Sequence, residues 1–203
     1  MRVTAETKAK TRGRILDAAQ KLFSGQGFEA TTTRDVAHEA GIATGTLFNY
    51  FATKEDILAC QAHDALDRAR ADFERRADEA GVLDEALFAY IAAGLRKLKP
   101  LRKHLPALLQ STLSPLAAAP TGEAVSLRVS FLETVAQLAE KHGIAELPPV
   151  ALQLVWTLYT GVLVFWASDK SPRQEDTLAL LDQSLRMFVG WLESAECGIR
   201  NAE

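Results

Sequence analysis

The segment from Thr31 to Lys54 constrains the fold more than any other part of the sequence. It predicts two short helices, Arg34 to Ala40 and Thr44 to Tyr50, with the helix-breaking Gly41 between them. Helices of this length bury little surface by themselves, so they need a third helix to pack against. The apolar stripe between Thr7 and Ser24 supplies that helix. The sequence therefore predicts a three-helix helix-turn-helix head.

The rest of the chain also has the pattern of helices, which makes the predicted fold class all-α. A long connector helix is expected over about 54–80, ending at Gly81. Further helical patterns lie near 83–98, 101–112, 122–142, 148–168 and 173–196, and a flexible loop is expected at 111–122. We therefore expect residues 1–53 to form the head and 54–203 to form a larger helical body with a substantial core.

Charge is distributed unevenly between these two parts. Residues 1–55 carry a net charge of +2, and since the whole chain carries -3, the remainder carries -5. A basic head on an acidic body is typical of a protein that touches a polyanion at one end. Cys60 and Cys197 lie far apart, and the N-terminus lacks the apolar stretch of a signal peptide. Both features predict a cytoplasmic protein with free thiols.

The stretch from Leu147 to Ser168 contains no charged residue and is long enough to nominate a membrane span. Against a span stand its polar residues, its two leading prolines and the absence of flanking Lys or Arg clusters. A helix that is apolar all round is also typical of a protein core. We expect burial and no membrane, with a membrane-attached sensor as the weaker alternative.

The sequence contains none of the common catalytic motifs. GxSxG, HExxH, P-loop and GxGxxG patterns do not occur, and the four histidines have no metal-ligand spacing with the cysteines. We therefore expect no enzyme activity, no cofactor and no metal.

Two features of the predicted head identify the family that it resembles: the residues of the turn and those of the second short helix. TTTRDVAHEAGIATGTLFNYFATKEDIL resembles the DNA-binding head of TetR-family repressors, over about residues 7–60. The matching positions are Thr32, Asp35, Val36, Ala37, Ala40-Gly41-Ile42, Gly45-Thr46-Leu47, Tyr50-Phe51 and Lys54-Glu55. The body is similar to the family only in length and helix order. The resemblance implies a dimeric transcriptional regulator, usually a repressor, that binds a palindromic operator in double-stranded DNA and releases it when a small molecule binds.

The resemblance also implies a role in DNA binding for individual residues. The resemblance implies that Thr33, Tyr50 and Lys54 contact phosphates and that Thr44, Gly45 and Thr46 enter the major groove. It implies that Asn49 contacts a base, and that Arg34 contacts either a base or a phosphate. Two positions depart from the family pattern. Ala43 stands where a Ser or Thr cap is usual, and Phe48 replaces a Tyr, so Phe48 is expected to touch a thymine methyl or a sugar. The alternative is a purely structural hairpin with Phe48 and Tyr50 in its core.

The last two helices carry more apolar surface than one buried face requires. Leu180, Met187 and Trp191 form a second stripe on the final helix, and on the uncharged helix Gly161 would allow close approach beside Phe165. We therefore predict a dimer interface of two helices from each subunit.

The family resemblance further implies an effector pocket in the body. Its candidate residues are His63, Leu66, Phe88, Tyr90, Trp156 and Tyr159, which favour an apolar or aromatic effector. A regulator without a ligand switch is the alternative.

Overall fold

A computed structural model describes residues 4–75, 81–110 and 123–200, and the side chains of 4–75, 81–110 and 127–194. This part of the chain is helical and contains no strand, which confirms the predicted all-α class. The helices are α1 (Ala5–Gly25), α2 (Thr33–Glu39), α3 (Thr44–Phe48), α4 (Lys54–Glu74), α5 (Leu83–Leu98), α6 (Leu105–Leu108), α7 (Glu123–Lys141), α8 (Pro149–Ser168) and α9 (Glu175–Arg200), with 3-10 helices at Lys99–His104 and Pro172–Gln174. The predicted loop at 111–122 lies outside the described residues.

The chain divides into two compact units, Met1–Ala62 and His63–Glu203. The division falls inside α4, whereas the sequence-based expectation places it at the N-terminus of that helix, between residues 53 and 54. The first unit consists of α1, α2, α3 and the N-terminal part of α4.

Helix α4 runs from Lys54 to Glu74, and residues 76–80 of the predicted connector helix lie outside the described residues. The predicted helix at 101–112 is instead a 3-10 helix followed by the single turn of α6. Pro100 and Pro106 lie at the starts of these two pieces. Because proline has no N–H to donate, it interrupts a continuous helix and is tolerated in the first turn of a new one.

The core of the first unit forms where α1 meets the two short helices. Ile15, Val36 and Leu47 are completely buried, one from each helix. The rings of Phe23 and Phe28 meet edge to face with their centroids 5.0 Å apart. Because α2 and α3 have seven and five residues, their conformation depends on this shared core more than on helix propensity.

In the second unit, α5 packs against α7 and α9, and α8 packs against α7 and α9. Helix α8 buries one face, which includes Val155, Leu163 and Trp166. Its length and mean hydropathy of 1.7 also meet the criteria for a membrane span. Such criteria are weak evidence for a span, because core helices of the same length and composition satisfy them equally.

Asp169 organises the corner between α8 and α9. Its Oδ1 accepts a hydrogen bond from the backbone N–H of Ser171 at 2.7 Å, and its Oδ2 accepts one from the N–H of Thr177 at 3.1 Å and one from the Thr177 hydroxyl at 2.5 Å. The hydrogen bonds from Thr177 and then Ser171 hold the pKa of Asp169 well below its ordinary value of 3.8. Through Thr177 the carboxylate satisfies a backbone donor in the first turn of α9 that the helix itself leaves unpaired.

The substitution Asp169→Asn is expected to lower the melting temperature by several degrees at pH 7. The amide would turn a donor toward N–H groups that now meet an acceptor. Because the folded-state pKa is depressed, the stabilisation is fully present above the ordinary pKa of 3.8, begins to fall below it, and is lost only as pH passes through the depressed folded-state pKa. Thermal denaturation at pH 7 and near pH 3 measures both effects, with Asp176→Asn as the control. Equal melting temperatures for wild type and Asp169→Asn at pH 7 would contradict this role.

Candidate functional site

The start of α2 is fixed by a reciprocal pair of hydrogen bonds. Thr32 Oγ1 accepts from the Asp35 N–H at 3.2 Å, and Asp35 Oδ2 accepts from the Thr32 N–H at 2.9 Å and from its hydroxyl at 2.7 Å. These hydrogen bonds from Thr32 lower the pKa of Asp35, which keeps the carboxylate ionised. This capping box orients the first turn of α2, where Thr33 is half-buried and Arg34 is exposed.

The turn between α2 and α3 is held from α1. Gly41 has a φ of +64°, which favours glycine over residues with a side chain. The guanidinium of Arg14 donates to the carbonyl oxygens of Ala40 and Gly41. Arg12 donates to the Sγ of Cys60, so both Arg12 and Arg14 serve contacts within the unit. The side chains of Lys8 and Lys10 are exposed on α1.

Helix α3 displays a small uncharged surface. Leu47 is completely buried and anchors the helix, whereas Gly45, Phe48 and Asn49 are exposed, with Phe48 at 52%. Thr44, Thr46 and Tyr50 are half-buried beside them. The exposure of Phe48 argues against the alternative that makes it a core aromatic. Ala43 caps α3 without a side-chain hydrogen bond, which agrees with the departure seen in the sequence.

Lys54 makes contacts that the sequence pattern did not predict. Its Nζ donates to the carbonyl oxygen of Phe28 at 2.9 Å and to that of Glu29 at 3.4 Å. The ammonium group also lies 4.4 Å from the centroid of the Phe28 ring. Lys54 therefore links the start of α4 to the loop before α2. A phosphate contact by Lys54 would have to form while its ammonium group stays beside Phe28 and Glu29, or would replace these contacts.

The substitution Lys54→Met is expected to destabilise the α2–α3 region by about 1–3 kcal/mol, because it removes a charged donor while keeping the aliphatic stem. Amide hydrogen exchange of α2 and α3 measures the effect without DNA. Lys10→Met, at an exposed position on α1, is the control. Unchanged exchange rates in Lys54→Met would show that the contacts to the Phe28 and Glu29 carbonyls contribute nothing.

Three of the predicted effector residues come together in an aromatic cluster in the second unit. Tyr159 stacks on Phe131 at 4.2 Å between ring centroids, and Phe131 also stacks on Tyr90 at 6.0 Å. Trp156 lies 5.8 Å from Phe131, and Phe73 lies 5.6 Å from Tyr90. Burial raises the pKa of both tyrosines, so their phenols stay neutral. Phe131, at the centre, was missed because helical spacing alone does not separate it from ordinary core.

The other three predicted effector residues have different surroundings. His63 Nδ1 lies 3.2 Å from Asp67 Oδ2, one turn further along α4. Leu66 packs close to Gly94, where an added Cβ would lie 3.1 Å from its methyl carbon. Phe88 is half-buried on α5 and has no ring contact with the aromatic cluster within the described residues.

The outer faces of α8 and α9 form an uncharged surface. Gly161 and Phe165 are exposed on α8, the latter at 40%, and α9 exposes Leu180 at 38%, Met187 at 67% and Trp191 at 39%. The charged residues Asp182 and Arg186 pair with each other on a different side of α9. Several large apolar side chains exposed on two neighbouring helices are typical of a contact between subunits.

Comparisons with known proteins agree with the geometry of the first unit. The family model described as bacterial regulatory proteins, tetR family, matches residues 15–59. The chain is 33% identical over 81 residues to YfiR, an uncharacterised HTH-type transcriptional regulator of Bacillus subtilis, and the match covers 40% of each protein. This match therefore spans less than half of the relative's length.

Two further comparisons extend over both units. The chain is 25% identical over 196 residues to the HTH-type transcriptional repressor KstR of Mycobacterium tuberculosis, covering 94% of this chain and 86% of KstR. The fold is similar to that of FadR from Thermus thermophilus, a TetR-family transcriptional repressor solved with lauroyl-CoA, with a TM-score of 0.66 and 24% identity over 88% of this chain and 93% of FadR. The family model over residues 15–59, the likeness to a repressor and the shared fold together indicate a TetR-family transcriptional regulator.

Proposed function

We propose that this protein is a transcriptional repressor that binds a palindromic operator as a dimer and is released by a small-molecule effector. The observation that carries the proposal is α3, a short helix anchored by buried Leu47 and exposing an uncharged, hydrogen-bonding surface. Uncharged side chains of this size can enter the major groove and approach base edges. KstR and FadR are both transcriptional repressors, which supports repression over activation.

In this proposal α3 is the recognition helix. Thr44, Gly45 and Thr46 lie in the major groove, and Asn49 reads a base by hydrogen bonds. Exposed Phe48 meets a thymine methyl or a sugar, since it has no group that can donate. We assign the phosphate contacts to Thr33, Arg34, Tyr50 and Lys54, with a base edge as the alternative for Arg34. The phosphate contacts supply most of the salt-dependent affinity, and the α3 contacts supply sequence preference.

The proposed homodimer uses the uncharged surface of α8 and α9. Two copies related by a two-fold axis would bury Phe165, Leu180, Met187 and Trp191 against one another. Gly161 supports this packing, because nothing in the same protomer lies within 4 Å of a Cβ built there and a partner helix has room to approach. A two-fold dimer carries two copies of α3, which matches the two half-sites of a palindromic operator.

The proposed effector site is the aromatic cluster around Phe131. Its buried rings favour an apolar or aromatic ligand, and Leu66 lies on the helix that continues into the first unit. The lauroyl-CoA bound by FadR supports an effector with an apolar chain. Ligand binding would act on the operator through α4, which contributes residues to both units.

Selection of bound sites from random duplex DNA tests the function. We expect a two-fold symmetric site whose half-sites lie about 34–36 Å apart, one turn of the duplex. Enrichment of asymmetric sites, or none, would contradict the dimeric repressor. A screen of apolar acids, their CoA thioesters and aromatic metabolites for release of the selected duplex then tests the effector. If no compound changes operator affinity, the ligand switch is wrong and a constitutive regulator remains.

A further inference from the structure

A second site is indicated by a cavity of about 300 Å³ between the end of α5, the end of α8 and the start of α9. Its walls are apolar, with Leu95 and Trp166 buried and Leu178 at 36% exposure. Its charged lining residues are all cations: Arg96, Lys99 and Arg173. This volume lies at the lower end of the range for small-molecule sites.

The positive charge of this cavity is uncompensated by acidic lining residues. Between Glu85 and Glu123 the sequence contains no acidic residue, although the whole chain has a net charge of -3. Within the described part of the chain, Arg96, Lys99 and Arg173 take part in no ion pair, whereas neighbouring Lys97 pairs with Asp72 at 2.6 Å. Asp169, four residues before Arg173 in the chain, is committed to Ser171 and Thr177.

The backbone at the cavity is strained. Arg173 has a φ of +53° and Gln174 a φ of +62°, and neither is glycine. Residues with side chains rarely adopt this region, and such strain is concentrated at functional sites. Here it allows Gln174 Oε1 to accept the indole N–H of Trp166 at 3.1 Å, and it places Arg173 among the lining residues.

From these observations we propose that the cavity binds a small organic anion, with its carboxylate or phosphate at Arg96, Lys99 and Arg173 and its apolar part against Leu95, Leu178 and Trp166. Guanidinium groups suit both kinds of head group because they donate parallel hydrogen bonds to two oxygens. The apolar walls exclude a bare inorganic anion as the best occupant. This site shares no lining residue with the aromatic cluster around Phe131 and is independent of the proposed DNA contacts.

Isothermal titration at constant ionic strength with hexanoate, hexyl phosphate and 1-hexanol tests the proposal on the full chain. We expect at least one anion to bind with a Kd below about 1 mM and the neutral alcohol to bind at least tenfold more weakly. The carboxylate and phosphate arms identify the head group. Failure of both anions to bind, or equal binding of the alcohol, would overturn the site.

Two variants locate the binding, with Lys97→Gln as the matched control on the same helix. Arg96→Gln and Arg173→Gly are each expected to weaken anion binding at least tenfold, and Lys97→Gln is expected to leave it unchanged. Arg173→Gly also relieves the positive φ, so its melting temperature should equal or exceed that of the wild type. Loss of binding in a more stable protein separates ligand recognition from misfolding. An equal loss in Lys97→Gln would mean non-specific attraction and would overturn the proposal.

Discussion

The substitution Met187→Lys is expected to convert the protein from a dimer to a monomer and to reduce operator affinity at least about 100-fold. Met187 has the largest exposed fraction, 67%, among the large apolar side chains described on α9. In a two-fold dimer the substitution would place two lysines in the same apolar interface, and buried like charges cost several kcal/mol. Sedimentation velocity measures the oligomeric state, and titration of the selected duplex measures the affinity.

Two further variants make this test specific. Glu193→Gln changes the net charge by the same amount on the charged side of α9, and we expect it to remain a dimer with full affinity. A Cβ built at Gly161 meets no atom within 4 Å in its own protomer, so Gly161→Leu should fold normally and yet weaken dimerisation. A dimer with normal operator affinity in both Met187→Lys and Gly161→Leu would place the subunit contact elsewhere.

The second large effect is expected from Asn49→Ala on α3. If Asn49 pairs with a base edge, its loss costs about 1–3 kcal/mol of discrimination at one position of each half-site. The variant should therefore tolerate any base there while keeping its preference at the others, and the salt dependence of its affinity should not change. Affinities for duplexes substituted one position at a time measure this profile.

The control for Asn49→Ala is Gln20→Ala, which removes an exposed amide from α1 at a distance from α3 in sequence. It should leave the whole profile unchanged. An Asn49→Ala variant that weakens every sequence equally would instead indicate a phosphate contact, and one with no effect would remove Asn49 from the interface.

How far the sequence predicts the structure differs between the two units. In the first unit, helix-breaking Gly41, the Thr32–Asp35 capping pair and the apolar stripe are local signals, and the observed helices begin and end close to where these signals lie. In the second unit, α5, α7, α8 and α9 follow their apolar patterns closely. The pieces around Pro100 and Pro106 differ, because two prolines interrupt a pattern that periodicity alone would continue.

The sequence by itself determined the all-α class, the helix-turn-helix head and the surplus of apolar residues on α8 and α9, because each depends on the order and spacing of neighbouring residues. Only the tertiary structure decided that Lys54 binds the Phe28 carbonyl, that Phe131 joins Tyr90 to Tyr159, and that Arg173 shares a cavity with Arg96. These partners are separated by 26 or more residues, and no local pattern records which faces of distant helices meet. Close packing allows few arrangements of these helices, and the arrangement that forms decides which distant side chains touch.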